Sequence, residues 1–200
     1  MALYKITPIT MLTVNHLVGD FEADAYINGK YGKFKSKELK DKWLVLLFYP
    51  ADFTFICPTE LEEAADHYTE FKKLDAEVVS VSTDTKHTHK AWHDTSPAIG
   101  KVKFPMLADP TARLCKLFGT YIEEGDDAGL SLRGTFIIDP DGVLKMADIH
   151  DNSIGRSSKE ILRRLTAAKY VREHKGLVCP ASWEPGKKTL KPGPDLVGKI

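Results

Sequence analysis

The stretch FYPADFTFICPTEL, residues 48–61, decides how the rest of the chain is interpreted. An apolar run at residues 43–49 leads into it and predicts a buried β-strand. Pro58 follows Cys57, and proline is favoured in the first turn of a helix because its missing N–H needs no partner there. From residue 61 onward, apolar residues recur at steps of three and four, which predicts an amphipathic helix. Cys57 is therefore predicted at the N-terminus of a helix that follows a strand.

A cysteine at this position is a candidate nucleophile. The unpaired N–H groups and the positive dipole end of a helix stabilise an anion, and the thiolate is the reactive form of cysteine. A lone cysteine is more often a small buried hydrophobic residue, and this alternative stays open. Thr54 can bring a hydroxyl to the sulfur, unless it serves only the turn. Pro50 has no donor, so its predicted role is to shield the site sterically.

Composition limits the class of protein. A chain of 200 residues favours one domain, and 42% hydrophobic with 28% charged residues fits a soluble globular protein. Acidic and basic residues balance at 28 each, so we expect no nucleic-acid or membrane surface. No run approaches the roughly 20 apolar residues of a membrane span, and residues 1–10 show no secretory signal. Three cysteines suit neither a disulfide framework nor a zinc cluster, so we expect a cytoplasmic protein.

Strand and helix patterns alternate along the chain. Asn28-Gly29 predicts a hairpin turn, and residues 76–82 predict a strand parallel to the strand at 43–49. A later strand at 134–139 and a capping box at 157–160 continue the alternation. The pattern predicts an α/β sheet with helices on both faces.

The last part of the chain has a different composition. From Gly176 onward, proline and glycine recur too often for a long helix or a central strand. We therefore expect a domain at residues 1–172 and an extended, partly mobile C-terminal arm at 173–200, with Cys179 at the root of the arm.

The motif formed by Pro50, Thr54 and Cys57 resembles the peroxidatic-cysteine motif of the peroxiredoxins. The whole run at 48–61 resembles their typical two-cysteine branch, which includes the small subunit of bacterial alkyl hydroperoxide reductase, and the resemblance extends from about residue 18 to 183. It implies a thioredoxin-like fold with a central mixed sheet. It also implies a thiol peroxidase that reduces hydrogen peroxide and alkyl hydroperoxides through a sulfenic acid, without metal, haem or flavin.

The resemblance also implies roles for residues outside this run. Arg133, in the sequence RGTFIID, matches the arginine that pairs with the peroxidatic sulfur; by itself it could be a solvated charge at a strand end. Glu60 and Arg156 match a supporting ion network. Cys179, in the sequence VCPA, matches the resolving cysteine, which in the family bonds to the peroxidatic cysteine of a partner subunit. An incidental thiol on the arm is its alternative.

The same resemblance implies partners. Members form homodimers and rings of five dimers, and a thioredoxin or a flavoprotein disulfide reductase restores the thiols. This chain lacks the Gly-Gly-Leu-Gly insertion and the C-terminal Tyr-Phe helix of eukaryotic members. Because those features slow local unfolding at the peroxidatic cysteine, we predict an enzyme that resists over-oxidation.

Two other functions are alternatives. A dithiol oxidoreductase of the thioredoxin type needs Cys-x-x-Cys, but Glu60 occupies the third position after Cys57. A non-enzymatic holdase or scaffold is expected as a side activity at most. The histidines at 87, 89 and 93 do not predict a metal site, because no further ligand completes the set. Cys115 is predicted to serve packing.

Overall fold

The structure is a computed structural model and describes residues 12–199. Its strands are β1 Glu22–Ile27, β2 Lys30–Lys35, β3 Trp43–Phe48, β4 Ala76–Ser82, β5 Met106–Ala108, β6 Arg133–Ile138 and β7 Leu144–His150. Its helices are α1 Cys57–Asp66, α2 Tyr68–Lys73, α3 Lys86–Thr95, α4 Arg113–Leu117 and α5 Ser158–Glu173. Short 3₁₀ turns lie at Ser36–Leu39, Ile99–Lys101 and Pro194–Leu196. The predicted α/β class is confirmed.

The seven strands form one mixed sheet in the order β2-β1-β5-β4-β3-β6-β7. The pairs β3–β4 and β4–β5 are parallel, and the others are antiparallel. All six residues of β3 are buried, because side chains that alternate between the two faces meet an apolar cluster on each. This central strand ends where the loop to Cys57 begins.

The local structure predicted from sequence holds with one difference. The β1–β2 turn has positive φ at Asn28 (46°) and Gly29 (81°), as its sequence predicts. Cys57 is the first residue of α1, as predicted, and Pro58 follows it within the first turn. The continuous helix predicted beyond residue 61 is wrong, because His67 leaves helical geometry (φ −93°, ψ 3°) and separates α1 from α2.

The C-terminal arm is irregular, but it packs on the domain. Helix α5 begins after Ser157, whose side chain accepts from the Glu160 N–H. In the arm, Trp183 is only 2% exposed; its ring lies 4.8 Å from that of Tyr170, and its carbonyl accepts from Arg163. The arm is therefore held against α5. Within residues 12–199, no helix is long and apolar enough to span a membrane.

Candidate active site

Cys57 lies at the end of the loop that leaves the central strand. Its side chain is fully buried, and it begins α1 as the sequence predicts. Strand β6 pairs with β3 so that Gly134 lies opposite Phe48, the last residue of β3. Arg133, which precedes Gly134, therefore enters the sheet close to the loop that carries the thiol.

Arg133 contacts the sulfur directly. Its Nη1 lies 3.2 Å from Cys57 Sγ and 2.7 Å from Glu60 Oε2, and its side chain is 4% exposed. Its Nε and Nη2 donate to the Asn152 carbonyl at 3.0 and 2.9 Å. Four contacts therefore fix the guanidinium plane, and one nitrogen faces the thiol.

Glu60 joins this arginine to a second one. Its Oε1 accepts from the Arg156 N–H at 2.8 Å and from Nε at 3.1 Å, and its Oε2 accepts from Nη2 at 3.0 Å. Arg156 also donates to the Gly134 carbonyl at 2.8 Å. The buried set thus holds two guanidinium groups and one carboxylate. A Cys57 thiolate would balance its charge, and burial strengthens that attraction relative to water.

Thr54 and Pro50 belong to the loop that leads from β3 to Cys57. Pro50 is buried at the start of the loop. The Thr54 hydroxyl donates to the Ala51 carbonyl at 2.8 Å. Within residues 12–199, no hydrogen bond joins this hydroxyl to Cys57 Sγ, so the predicted contact is not made here. Its oxygen keeps its lone pairs for a donor such as a hydroperoxide.

Cys179 lies far from Cys57 along the fold. Its sulfur is half-buried, 3.9 Å from the Ala167 carbonyl on α5, and burial raises its pKa. Two residues farther along α5, Lys169 binds Asp75 beside the start of β3, whereas Cys57 follows the end of that strand. A strand of six residues spans about 20 Å, and a disulfide needs Cα atoms about 4.4–6.8 Å apart. The two thiols do not meet within this folded chain.

The other candidates of the sequence have structural partners. Cys115 is buried, and burial raises its pKa to about 12, so it stays a neutral thiol in the packing. His89 bonds Asp52 and the Leu107 carbonyl, and His93 bonds the Val102 carbonyl. In the described part of the chain, no three His, Cys, Asp or Glu residues are grouped to hold a metal ion.

Sequence reasoning missed two features of the site. The Asn152 carbonyl orients Arg133, and a backbone group carries no signal in the residue type. Asp52 binds His89 at 2.8 Å in a second buried pair beside the loop. The spacing of the two residues in sequence, 37 positions, gave no reason to join them.

Known proteins are similar to this chain in sequence. A family profile described as the AhpC/TSA family matches residues 14–147, and one described as the C-terminal domain of 1-Cys peroxiredoxin matches residues 167–199. Alkyl hydroperoxide reductase C of Pseudomonas aeruginosa is 52% identical over 95% of this chain and 100% of its own length. The protein of the same name from Escherichia coli is 46% identical, again over 95% and 100%.

Solved structures are also similar to this chain. A crystal structure of Enterococcus faecalis AhpC aligns with a TM-score of 0.80 and 42% identity, and covers 85% of this chain and 100% of that one. A reduced 2-Cys peroxiredoxin of Plasmodium vivax aligns with a TM-score of 0.84 and 34% identity, and covers 91% and 94%. The sheet with its flanking helices is therefore the thioredoxin-like fold of peroxiredoxins.

Fold and relatives first define a class, the peroxiredoxin-type peroxidases, which are oxidoreductases. Within this class, the chain belongs to the AhpC/TSA family.

Proposed function

We propose that Cys57 is the peroxidatic residue of this peroxidase and that hydrogen peroxide and alkyl hydroperoxides are its substrates. The thiolate attacks the terminal oxygen, the O–O bond breaks, and the leaving oxygen takes a proton to become water or an alcohol. Cys57 is oxidised to a sulfenic acid. The observation that carries the proposal is the 3.2 Å contact between Arg133 Nη1 and the buried Cys57 Sγ. One guanidinium can hold both the thiolate and a peroxide oxygen.

The assignment predicts different outcomes at two buried cysteines. Cys57→Ser should abolish peroxide consumption in the presence of a dithiol reductant, because the oxygen-accepting sulfur is lost. Cys115→Ser is the matched control, since Cys115 is also fully buried but lies outside the site, and it should keep near-normal turnover. Near-normal turnover in Cys57→Ser would refute the assignment.

We further propose that Cys179 of a partner chain resolves the sulfenic acid. The two condense to a disulfide with loss of water. The separation of the two thiols within one chain supports a partner as the source, with the arm at residues 173–200 delivering it. Cys179→Ser should still react with the first peroxide but give no disulfide-linked dimer on a non-reducing gel. Dimers that persist in this variant would exclude the resolving role.

We also propose assembly into a homodimer and then a ring of five dimers, and two surfaces could supply contacts between copies. Strand β7 is the last strand of the sheet; its first residue, Leu144, pairs with residues 15 and 16, and the rest of its outer edge is offered to a second copy. In the loop that precedes Cys57, Phe55 is 92% exposed and Phe53 57% exposed. Exposed aromatic side chains close together are typical of a protein–protein contact. Sedimentation of the wild type against Phe55→Asp tests the second contact. Unchanged particle size would contradict its use in assembly.

We propose a cytoplasmic location, because a cycling disulfide needs a reducing compartment. A dithiol protein then restores both thiols by exchange and is itself oxidised. A thioredoxin and a flavoprotein disulfide reductase are the two candidates. Oxidation of NAD(P)H, followed with peroxide and each purified reductase system in turn, identifies the one that sustains turnover. Failure with both would reject this class of reductant.

A further inference from the structure

A second buried pair of charged groups, separate from the arginines and glutamate at the sulfur, joins the Cys57 loop to α3. Asp52 Oδ2 is 2.8 Å from His89 Nδ1, and both side chains are completely buried. Asp52 Oδ1 also accepts from the Tyr49 hydroxyl at 2.7 Å. Burial of charged groups is costly even when they are paired, so a structural or functional role is expected for this pair.

The hydrogen bonds fix the number of protons in the pair. His89 Nε2 lies 3.0 Å from the Leu107 carbonyl, which can only accept, so Nε2 carries a proton. Between His89 Nδ1 and the carboxyl of Asp52, one further proton must be shared, whichever atom holds it. The pair is then neutral overall. Burial raises the pKa of the Asp52 carboxyl, which favours retention of this proton.

The pair anchors the loop between β3 and α1 at its tightest point. The Asp52 N–H donates to Asp84 Oδ2 at 2.8 Å, so main chain and side chain are both held. The next residue, Phe53, has a φ of 56°, which is uncommon for a bulky residue. Thr54 follows directly, and its hydroxyl bonds the Ala51 carbonyl across the same turn. The buried pair therefore adds a side-chain anchor to a turn that the Asp84 and Thr54 hydrogen bonds also hold.

We propose that Asp52 and His89 are positioning residues for the peroxide reaction. They hold the turn that leads into Thr54 and the first turn of α1, where Cys57 lies. The inference deepens the proposed function and rests on it. Arg133 favours the thiolate, whereas Asp52 and His89 set the place where the peroxide meets it.

The test separates positioning from thiolate formation. In Asp52→Ala, the second-order rate of Cys57 with hydrogen peroxide, followed by stopped-flow tryptophan fluorescence, should fall about 100-fold, as for a reacting group displaced by about 1 Å. Alkylation of Cys57 by iodoacetamide should stay the same or become faster, because Arg133 is untouched. A loss of folding would instead appear in circular dichroism.

Asp52→Asn is the conservative variant. Its amide can donate to His89 Nδ1 and accept from Tyr49, so every hydrogen bond is kept without the shared proton. It should retain the peroxide rate within about threefold, as expected if the geometry of the turn is what matters. If Asp52→Ala fails to fold, His89→Gln is the second variant. Its amide keeps the hydrogen bond to the Leu107 carbonyl and loses the hydrogen bond to Asp52, so the same loss of peroxide rate is expected.

Three results would overturn the inference. They are an unchanged peroxide rate in the folded Asp52→Ala or His89→Gln variant, a parallel loss of alkylation, and an equal loss of peroxide rate in Asp52→Asn. A slow wild type would instead overturn the proposed function. The two failures are therefore distinguishable.

Discussion

At the scale of the residue, the buried charges of the site do not cancel without the Cys57 thiolate. Arg133 and Arg156 share the single carboxylate of Glu60, and both arginine side chains are 4% exposed. One positive charge is left for the Cys57 sulfur, which lies within hydrogen-bonding distance. Arginine suits this position because its planar fork can serve the carboxylate, the Asn152 carbonyl and the sulfur at once.

Arg133→Met should lower the second-order rate with hydrogen peroxide by about 10²–10³-fold, the usual loss when one donor to a developing oxyanion is removed. Stopped-flow kinetics on the reduced protein measure it. Arg172→Met is the control, since Arg172 binds Asp141 at the surface, and its rate should equal that of the wild type. Equal rates for both variants would remove Arg133 from the reaction.

At the scale of the element, Gly134 lets β6 pack closely directly after Arg133. A Cβ on Gly134 would lie 2.6 Å from Thr120 Cγ2 and 2.7 Å from Phe136 Cε2, closer than Cβ atoms come to non-bonded neighbours in proteins. The need for glycine here comes from packing and not from a turn.

Gly134→Ala should therefore cost about 1–3 kcal/mol in the free energy of unfolding, the typical penalty for overpacking. Urea unfolding measures it. Gly32→Ala in β2 is the matched control, because the nearest atom to a Cβ there is 3.7 Å away. A penalty no larger than that of the control would show that β6 relaxes freely.

The ion pairs of Glu160 on helix α5 are expected to make an acid-sensitive contribution to stability. Hydrogen bonds from Arg163, and then from Arg164, lower the Glu160 pKa from 4.5 to about 2. A carboxylate whose pKa is depressed by folding stabilises the fold at pH values above its ordinary pKa. This contribution is lost as the pH falls from 4.5 toward 2. Because Glu160 is 41% exposed, solvent screening limits it to about 1 kcal/mol or less.

Glu160→Gln should thus be slightly less stable than the wild type at pH 7, and the difference should shrink as the pH approaches 2. Urea unfolding at both pH values tests this. Glu173→Gln at the other end of α5 is the control, since Glu173 forms no ion pair within residues 12–199. A difference that grows on acidification would contradict the sign.

At the scale of the whole molecule, local patterns predicted the class of fold and the place of Cys57. The strand, the loop and the helix start are encoded within residues 43–61. The strand order and the contact between Arg133 and Cys57, which are 76 positions apart, are products of long-range packing. Sequence pattern alone left Arg133 open between a solvated and a buried charge. Likewise, the composition of the proline-rich arm did not predict that it packs on α5, a contact that Trp183 and Tyr170 make in the structure.

The arm also bears on resistance to over-oxidation. Within residues 174–199, the one helical piece is the 3₁₀ turn Pro194–Leu196, so no long helix covers the first turn of α1. Local unfolding at Cys57 should therefore be fast, and the disulfide should form before a second peroxide reacts. We expect slow inactivation during turnover with excess peroxide, checked by mass spectrometry of Cys57. Rapid gain of two oxygens on Cys57 would show that α1 unfolds slowly.

The central claim is that the sulfur of Cys57 takes the oxygen from the peroxide. The most direct measurement uses a Cys115→Ser, Cys179→Ser protein, treated with one equivalent of hydrogen peroxide and analysed by intact mass and peptide mapping. We predict a gain of one oxygen, confined to the peptide that contains Cys57 and formed at the rate of the wild type's first step. A protein that stays unoxidised on this timescale, or carries its oxygen elsewhere, would contradict the account.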